Sequence, residues 1–336
     1  MNQIITEIYV PLYGPLPIRE AEKSRYVETV SQLLNLSGKL HVDAAGQGFI
    51  PIGLESSRMG DLPEGVQRRE DPLANYYTFL RMHLSAPRSS LELVAHSGEI
   101  QESEEAFSLH LTSAAMKRFY DLMVAANLAR PGSVFALPGK VYVDGTFVFS
   151  TQQVYSSLDQ AVSAANRVGW PPIHDLDILQ VIAWLDHNGV WLLDQFGGSQ
   201  IIRALNAFSY LLGSEGEIGA DSLLYSMMGL ETLYAKGEGI SQQILEKSQL
   251  LLGEVRENRK LVKSVYNFRS RWFHGDMDFP GRYFNEDVHP DLDKFQGEYF
   301  ELEPLAQAIL VASIQELIRR GWHSLSFRAV LDQPQE

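Results

Sequence analysis

From about residue 200 to the C-terminus, apolar positions recur every three or four residues, the period of helices with one buried face. Five segments carry this period, each with its own start and stop. Ser199 precedes "QIIRALNAFSYLL" as an N-cap, and Gly213 closes it. A second helix starts after Asp221 and ends at Gly237; a third runs from Ser241 to Gly253. The fourth covers "ENRKLVKSVYNFRSRWFHG", ending at Gly275. The fifth, "ELEPLAQAILVASIQELIRRGW", follows a loop rich in Asp, Gly and Pro. Upstream, "LDILQVIAWLDHN" repeats Leu179, Ile182 and Leu185 at helical spacing.

The first 150 residues or so follow another rule. Short β-branched and aromatic runs alternate with Gly and Pro, as in "KLHVDAAGQGFIPIGL", "NYYTFLRMHLS", "SLELVAH" and "KVYVDGTFVFS". Asp144-Gly145 in the last run predicts a tight hairpin. Two helices interrupt these strands: "IREAEKSRYVETVSQLLNL", and "TSAAMKRFYDLMVAANLA", which Pro131-Gly132 stops. The pattern therefore predicts an α+β domain over residues 1–170 and an all-α helical bundle over 171–330, with "GWPPIHDLD" as the joint. The first half holds no catalytic constellation; His41, His83, His96 and His110 are isolated in sequence.

Composition narrows the picture. No run of eighteen apolar residues occurs, so no membrane span is expected. The N-terminal residues lack the basic start and apolar stretch of a signal peptide, and with no cysteines the chain has neither disulfides nor thiolate metal sites. These features fit a cytoplasmic protein. The formal charge of −14 opposes broad capture of a polyanion. Between Arg256 and Arg271, however, Arg256, Arg259, Lys260, Lys263, Arg269 and Arg271 face one acid, Glu257, a local charge of +5.

On the fourth helix, Val262, Tyr266, Arg269 and Phe273 fall on one stripe, beside Leu261, Val265, Phe268 and Trp272. Arg269 thus points into or along a buried seam, where a guanidinium needs a partner. Glu231, among Met227, Met228, Leu230 and Tyr234, is the carboxylate expected to meet it. Asn267, Ser270 and His274 form a polar stripe alongside. Positions five apart on an ideal helix diverge by roughly 140°, so Arg269 and His274 share a niche only if the helix ends at His274, or if both face a second subunit. An arginine fork binds phosphate oxygens, and an imidazole can move a proton at neutral pH. Together they suit metal-independent attack of an RNA 2′-hydroxyl on the adjacent phosphate; no metal or other cofactor is called for. Bare spacing is weak, because Arg167 with His174 and Arg282 with His289 match it too.

"RALNAFSYLL", "MGLETLYAKGEGISQQILEKSQLLLG" and "VYNFRSRWFHGDMDFPG", in that order, resemble the HEPN superfamily, specifically its ApeA-like branch, over about residues 175–325. The resemblance implies a bundle of four to five helices, usually a homodimer, with the motif helices meeting near the two-fold axis. Members are commonly metal-independent endoribonucleases of toxin–antitoxin and antiviral defence systems, with an antitoxin or regulatory partner; others serve as binding or scaffold domains. Carried across, Arg269 takes the motif arginine, His274 the motif histidine and Glu231 the acidic position. Ser270 stands where active members often have Asn, Asp or His. The expected site is then Arg269, His274 and Ser270, supported by Glu231 and Asn267, with RNA guided by Arg256, Arg259, Lys260, Lys263 and Arg271. The alternative is a non-catalytic dimerisation module serving an N-terminal sensor domain.

Overall fold

A computed structural model describes residues 3–15, 20–44, 48–57, 62–63, 78–94, 100–188, 198–213, 220–278 and 290–328. The chain forms two compact units: Met1–Asp159 with Asp175–Ala183, and Gln160–His174 with Trp184–Glu336.

In the first unit, β1 (Gln3–Tyr13) is followed by α1 (Glu20–Leu34), then by β2 (Leu40–Asp43), β3 (Phe49–Ser57) and β4 (Thr78–Pro87). Next come β5 (Leu91–Val94), β6 (Ile100–Ser103), α2 (Glu104–Ala129), β7 (Phe135–Ala136), β8 (Lys140–Val143) and β9 (Thr146–Ser150). The main sheet is antiparallel in the order β2-β3-β4-β1-β8-β9, with β7 also on β1; β5 and β6 form a separate hairpin. The expected tight turn joins β8 to β9, with Asp144 at φ 49° and Gly145 at φ 77°, the left-handed pair of a type I′ hairpin.

β1 sits inside the sheet because its even positions, Ile4, Thr6, Ile8, Val10 and Leu12, are all buried on one face. Its odd positions build the other face, where register sets Tyr9 opposite Arg81 and Glu7 opposite His83. Arg81 uses both edges of its guanidinium there. Nε and one terminal nitrogen donate to Glu7 at 3.0 and 2.6 Å, and the other donates to Glu55 at 2.9 Å.

α2 starts eight residues earlier than its apolar period predicts. Ser103 caps it by accepting from the Ala106 N–H at 3.0 Å, and Glu104 and Glu105 suit the positive end of the dipole. From Asp121 to Ala129 every residue is buried, so this end is enclosed rather than amphipathic. Buried Asn127 ties down the following turn: Nδ2 donates to the Met123 and Val134 carbonyls, and Oδ1 accepts from the Gly132 N–H. Gly132 has φ +66°, and an added Cβ would lie 2.2 Å from the Asp159 nitrogen, so only glycine fits.

α3 (Leu158–Val168) and α4 (Ile178–His187) carry the chain from one unit to the other. The helical unit then contains α5 (Gln200–Tyr210), α6 (Ala220–Tyr234), α7 (Ile240–Leu252), α8 (Arg259–Phe273) and α9 (Pro290–Arg320). The N-terminal half thus carries an antiparallel sheet and the C-terminal half is helical. α9 starts at Pro290, not near Glu301, and runs through Pro304. Its added turns bury Phe295 and Tyr299, an i, i+4 pair that lay in what read as loop and continues onto Leu302. Residues Leu302 to Gln315 of α9 are buried throughout, which makes it the axis of the unit. α6 packs close to it because Gly229 leaves room for Leu310; a Cβ there would come within 2.7 Å. Tyr234 locks the same pair, donating to Ser313 at 2.6 Å. No described helix is long and apolar enough to cross a membrane.

Candidate functional site

α8 presents Val262, Val265, Phe268 and Trp272 to the core. Phe268 and Trp272 meet Phe295 and Tyr299 of α9, with ring centroids 5.1 to 6.4 Å apart. Tyr266 and Arg269 are half-buried and Phe273 is exposed. Of the two placements the helical wheel allows, Arg269 therefore takes the one along the seam rather than in it. Its partner is the expected one: a terminal nitrogen of Arg269 stands 3.2 Å from a Glu231 carboxylate oxygen on α6, with side-chain exposures of 18% and 25%.

The pairing is incomplete. Arg269 Nε and Glu231 Oε1 are buried, and neither has a well-formed hydrogen bond among the described residues. The guanidinium carbon also lies 5.3 Å from the Phe273 ring centroid, a cation–π distance. Buried donors are normally satisfied. This guanidinium is held on two sides with donor capacity left over.

His274 ends α8. Its N–H returns to the Ser270 carbonyl at 3.0 Å, Gly275 takes φ +75°, and the Asp276 N–H reaches the Arg271 carbonyl at 2.8 Å. This left-handed exit leaves the His274 side chain exposed at the helix end. Asn267 is also exposed and Ser270 half-buried.

The basic stretch divides. Arg271 is engaged by Glu298 of α9 and lies 5.7 Å from the Phe268 ring, so it belongs to the packing of α8 on α9. Arg256, Arg259, Lys260 and Lys263 are exposed and form no ion pair among the described residues. Arg259 and Lys260 open α8, where the helix dipole disfavours cations and Asn258 makes no side-chain cap. These cations are open to an external anion. The cleft that Lys263 and Tyr266 share with Met227, Ile244 and Ile309 encloses about 20 Å³, room for a water and not for a ligand.

The competing arginine–histidine spacings fare differently. His174 Nε2 lies 3.0 Å from a nitrogen of Arg319, not Arg167, and Arg319 also donates to Glu316 at 2.6 Å. A guanidinium only donates, so His174 accepts through Nε2 and is neutral there. Burial, then the Arg319 charge, holds its pKa below the ordinary value. The buried Gln315 amide grips the His174 backbone on both sides, at 2.9 and 2.8 Å. Arg282 and His289 lie outside the described residues.

Sequence reasoning did not single out two features. Phe273 touches Arg269 while remaining exposed, and Met228, one turn before Glu231, is exposed as well. Periodicity had assigned both to a core. Among the described residues, no three His, Asp or Glu side chains are placed to share a metal ion. No protein-family model matches the chain, and no curated protein or solved structure matches it.

Proposed function

We propose that the helical unit is a metal-independent endoribonuclease of the HEPN type, acting by attack of a ribose 2′-hydroxyl on the adjacent phosphate. The observation that carries this reading is the incompletely satisfied Arg269, beside Glu231, five positions before an exposed His274 at the end of the same helix. Arg269 binds the non-bridging oxygens of the scissile phosphate, with Glu231 fixing the guanidinium from behind. His274 moves the proton, either from the 2′-hydroxyl or to the departing 5′-oxygen. The products are a 2′,3′-cyclic phosphate and a 5′-hydroxyl. Ser270 and Asn267 orient the imidazole, and Arg256, Arg259, Lys260 and Lys263 draw RNA to an otherwise acidic chain. A homodimer pairing α8 with its copy near a two-fold axis would complete the site with a second such set. A toxin or antiviral defence setting in the cytoplasm, with an antitoxin or regulatory partner, belongs to the same proposal.

The engaged state of Arg269 supports a second reading. Held by Glu231 and against Phe273, it is also a register-fixing pair for a non-catalytic dimerisation module that serves the sheet unit as a sensor domain. Purified protein, single-stranded RNA and EDTA separate the two. The nuclease reading expects cleavage that persists in EDTA and falls by at least about 100-fold in His274→Ala. Equal cleavage by His274→Ala removes it.

A further inference from the structure

We infer that Phe273 is a base-stacking residue: its ring takes an unpaired nucleobase beside the phosphate held by Arg269. The inference rests on the ribonuclease reading and assigns this site a requirement for an unstacked nucleotide.

The other aromatic residues of α8's last two turns are enclosed; Phe268 is 0% exposed and Trp272 is 7% exposed. Phe273 is 40% exposed at the helix end, next to His274 in sequence and one turn after Arg269. Leaving so much aromatic surface in water is unfavourable unless something covers it. On α6, Met228, one turn before Glu231, is 46% exposed. Exposed apolar surface therefore occurs on both helices that carry the ion pair.

An occupant must meet both a part-exposed guanidinium with one ion contact among the described residues and an apolar ring within 5.3 Å of it. A nucleotide offers both at once, a phosphate for Arg269 and a π-face for Phe273. The four exposed cations at the other end of the helix complement the same polyanion. An uncharged protein surface would cover the ring but leave the arginine donors unmet.

The test is a chemical double-mutant cycle on the full chain. A 2′-O-methyl oligonucleotide with a single ribonucleotide has one attacking hydroxyl, so its scissile bond is fixed. It is compared with versions abasic at the ribonucleotide or at its 3′ neighbour, using wild type, Phe273→Leu and Phe273→Tyr, all in EDTA. Wild type should lose about 5- to 150-fold in kcat/KM on one of the abasic substrates. Phe273→Leu should lose a similar factor on the intact substrate and nothing more on that abasic one, while Phe273→Tyr behaves as wild type. Abasic and intact substrates cut equally by wild type would overturn the inference, as would losses that multiply. So would a change in particle mass of Phe273→Leu by light scattering, which makes the ring a subunit contact. Failure of the nuclease reading shows separately, as no cleavage of the intact substrate by wild type, and the inference falls with it.

Discussion

Two half-buried arginines, one in each unit, are paired in opposite ways. Arg81 in the sheet donates along both edges, to Glu7 and to Glu55, at 2.6 to 3.0 Å. Arg269 in the bundle has one ion contact, 3.2 Å from Glu231, and keeps its Nε enclosed without an acceptor. A guanidinium whose donors are used holds strands together; one with donors left can accept an anion from outside. Arg130 shows that incomplete pairing is not sufficient. It is buried, 3.5 Å from Glu28, with one terminal nitrogen unpartnered, yet it ends α2 inside a closed turn. What distinguishes Arg269 is a part-exposed side chain, an aromatic ring over it that is itself exposed, and an exposed histidine five positions on.

The contrast can be broken first on stability. Arg81→Leu leaves the Glu7 carboxylate, 17% exposed, without its cation, and should destabilise the chain by about 2 kcal/mol, discounted from the 3–5 expected for a fully buried pair. A shift in urea midpoint at unchanged slope would show it. An unchanged midpoint would mean that the pairing around Arg81 is no tighter in effect than that around Arg269.

A smaller effect is expected at the other arginine–histidine contact. Because burial and Arg319 depress the His174 pKa, the folded chain binds fewer protons there than the unfolded one. Its contribution to stability is complete above about pH 6.5, the unfolded value. It is lost as pH falls below that value towards the folded pKa. His174→Gln should flatten the dependence of the urea midpoint on pH in this window; an identical slope in both proteins would show that His174 is not held neutral.

Local chemistry made parts of this legible in the sequence. Asp144-Gly145 specifies its hairpin through two left-handed residues, and Ser199 caps α5 by accepting from the Ile202 N–H at 3.2 Å. The Arg269–Glu231 pair was also readable, because each residue interrupts an apolar helical stripe and a charge placed there needs its opposite. Long-range register was not readable. Nothing near Glu7 in sequence names Arg81, 74 residues away, as its partner, and β1 becomes central only through pairing with β4 and β8. The same holds for His174 and Arg319, separated by 145 positions. α3 escaped notice although Leu158, Ala161, Ala165 and Val168 are spaced for a helix; four of its five buried aliphatic positions are small or β-branched and stand out little against the surrounding polar residues. Pro304 masked the true length of α9, since proline normally ends a helix and here lies inside one. At the site, periodicity placed Phe273 in the core, whereas the end of α8 at His274 removes the next turn that would have covered it.

The most direct measurement is on Arg269→Gln, which keeps an amide and drops the charge: urea stability and cleavage of single-stranded RNA in EDTA, on one preparation. Glu231 is 25% exposed although its Oε1 is enclosed, so stability should fall by about 1 kcal/mol while cleavage drops by at least about 100-fold. Wild-type cleavage by Arg269→Gln, or stability and cleavage lost together, would place Arg269 with Arg81 as a residue of the fold.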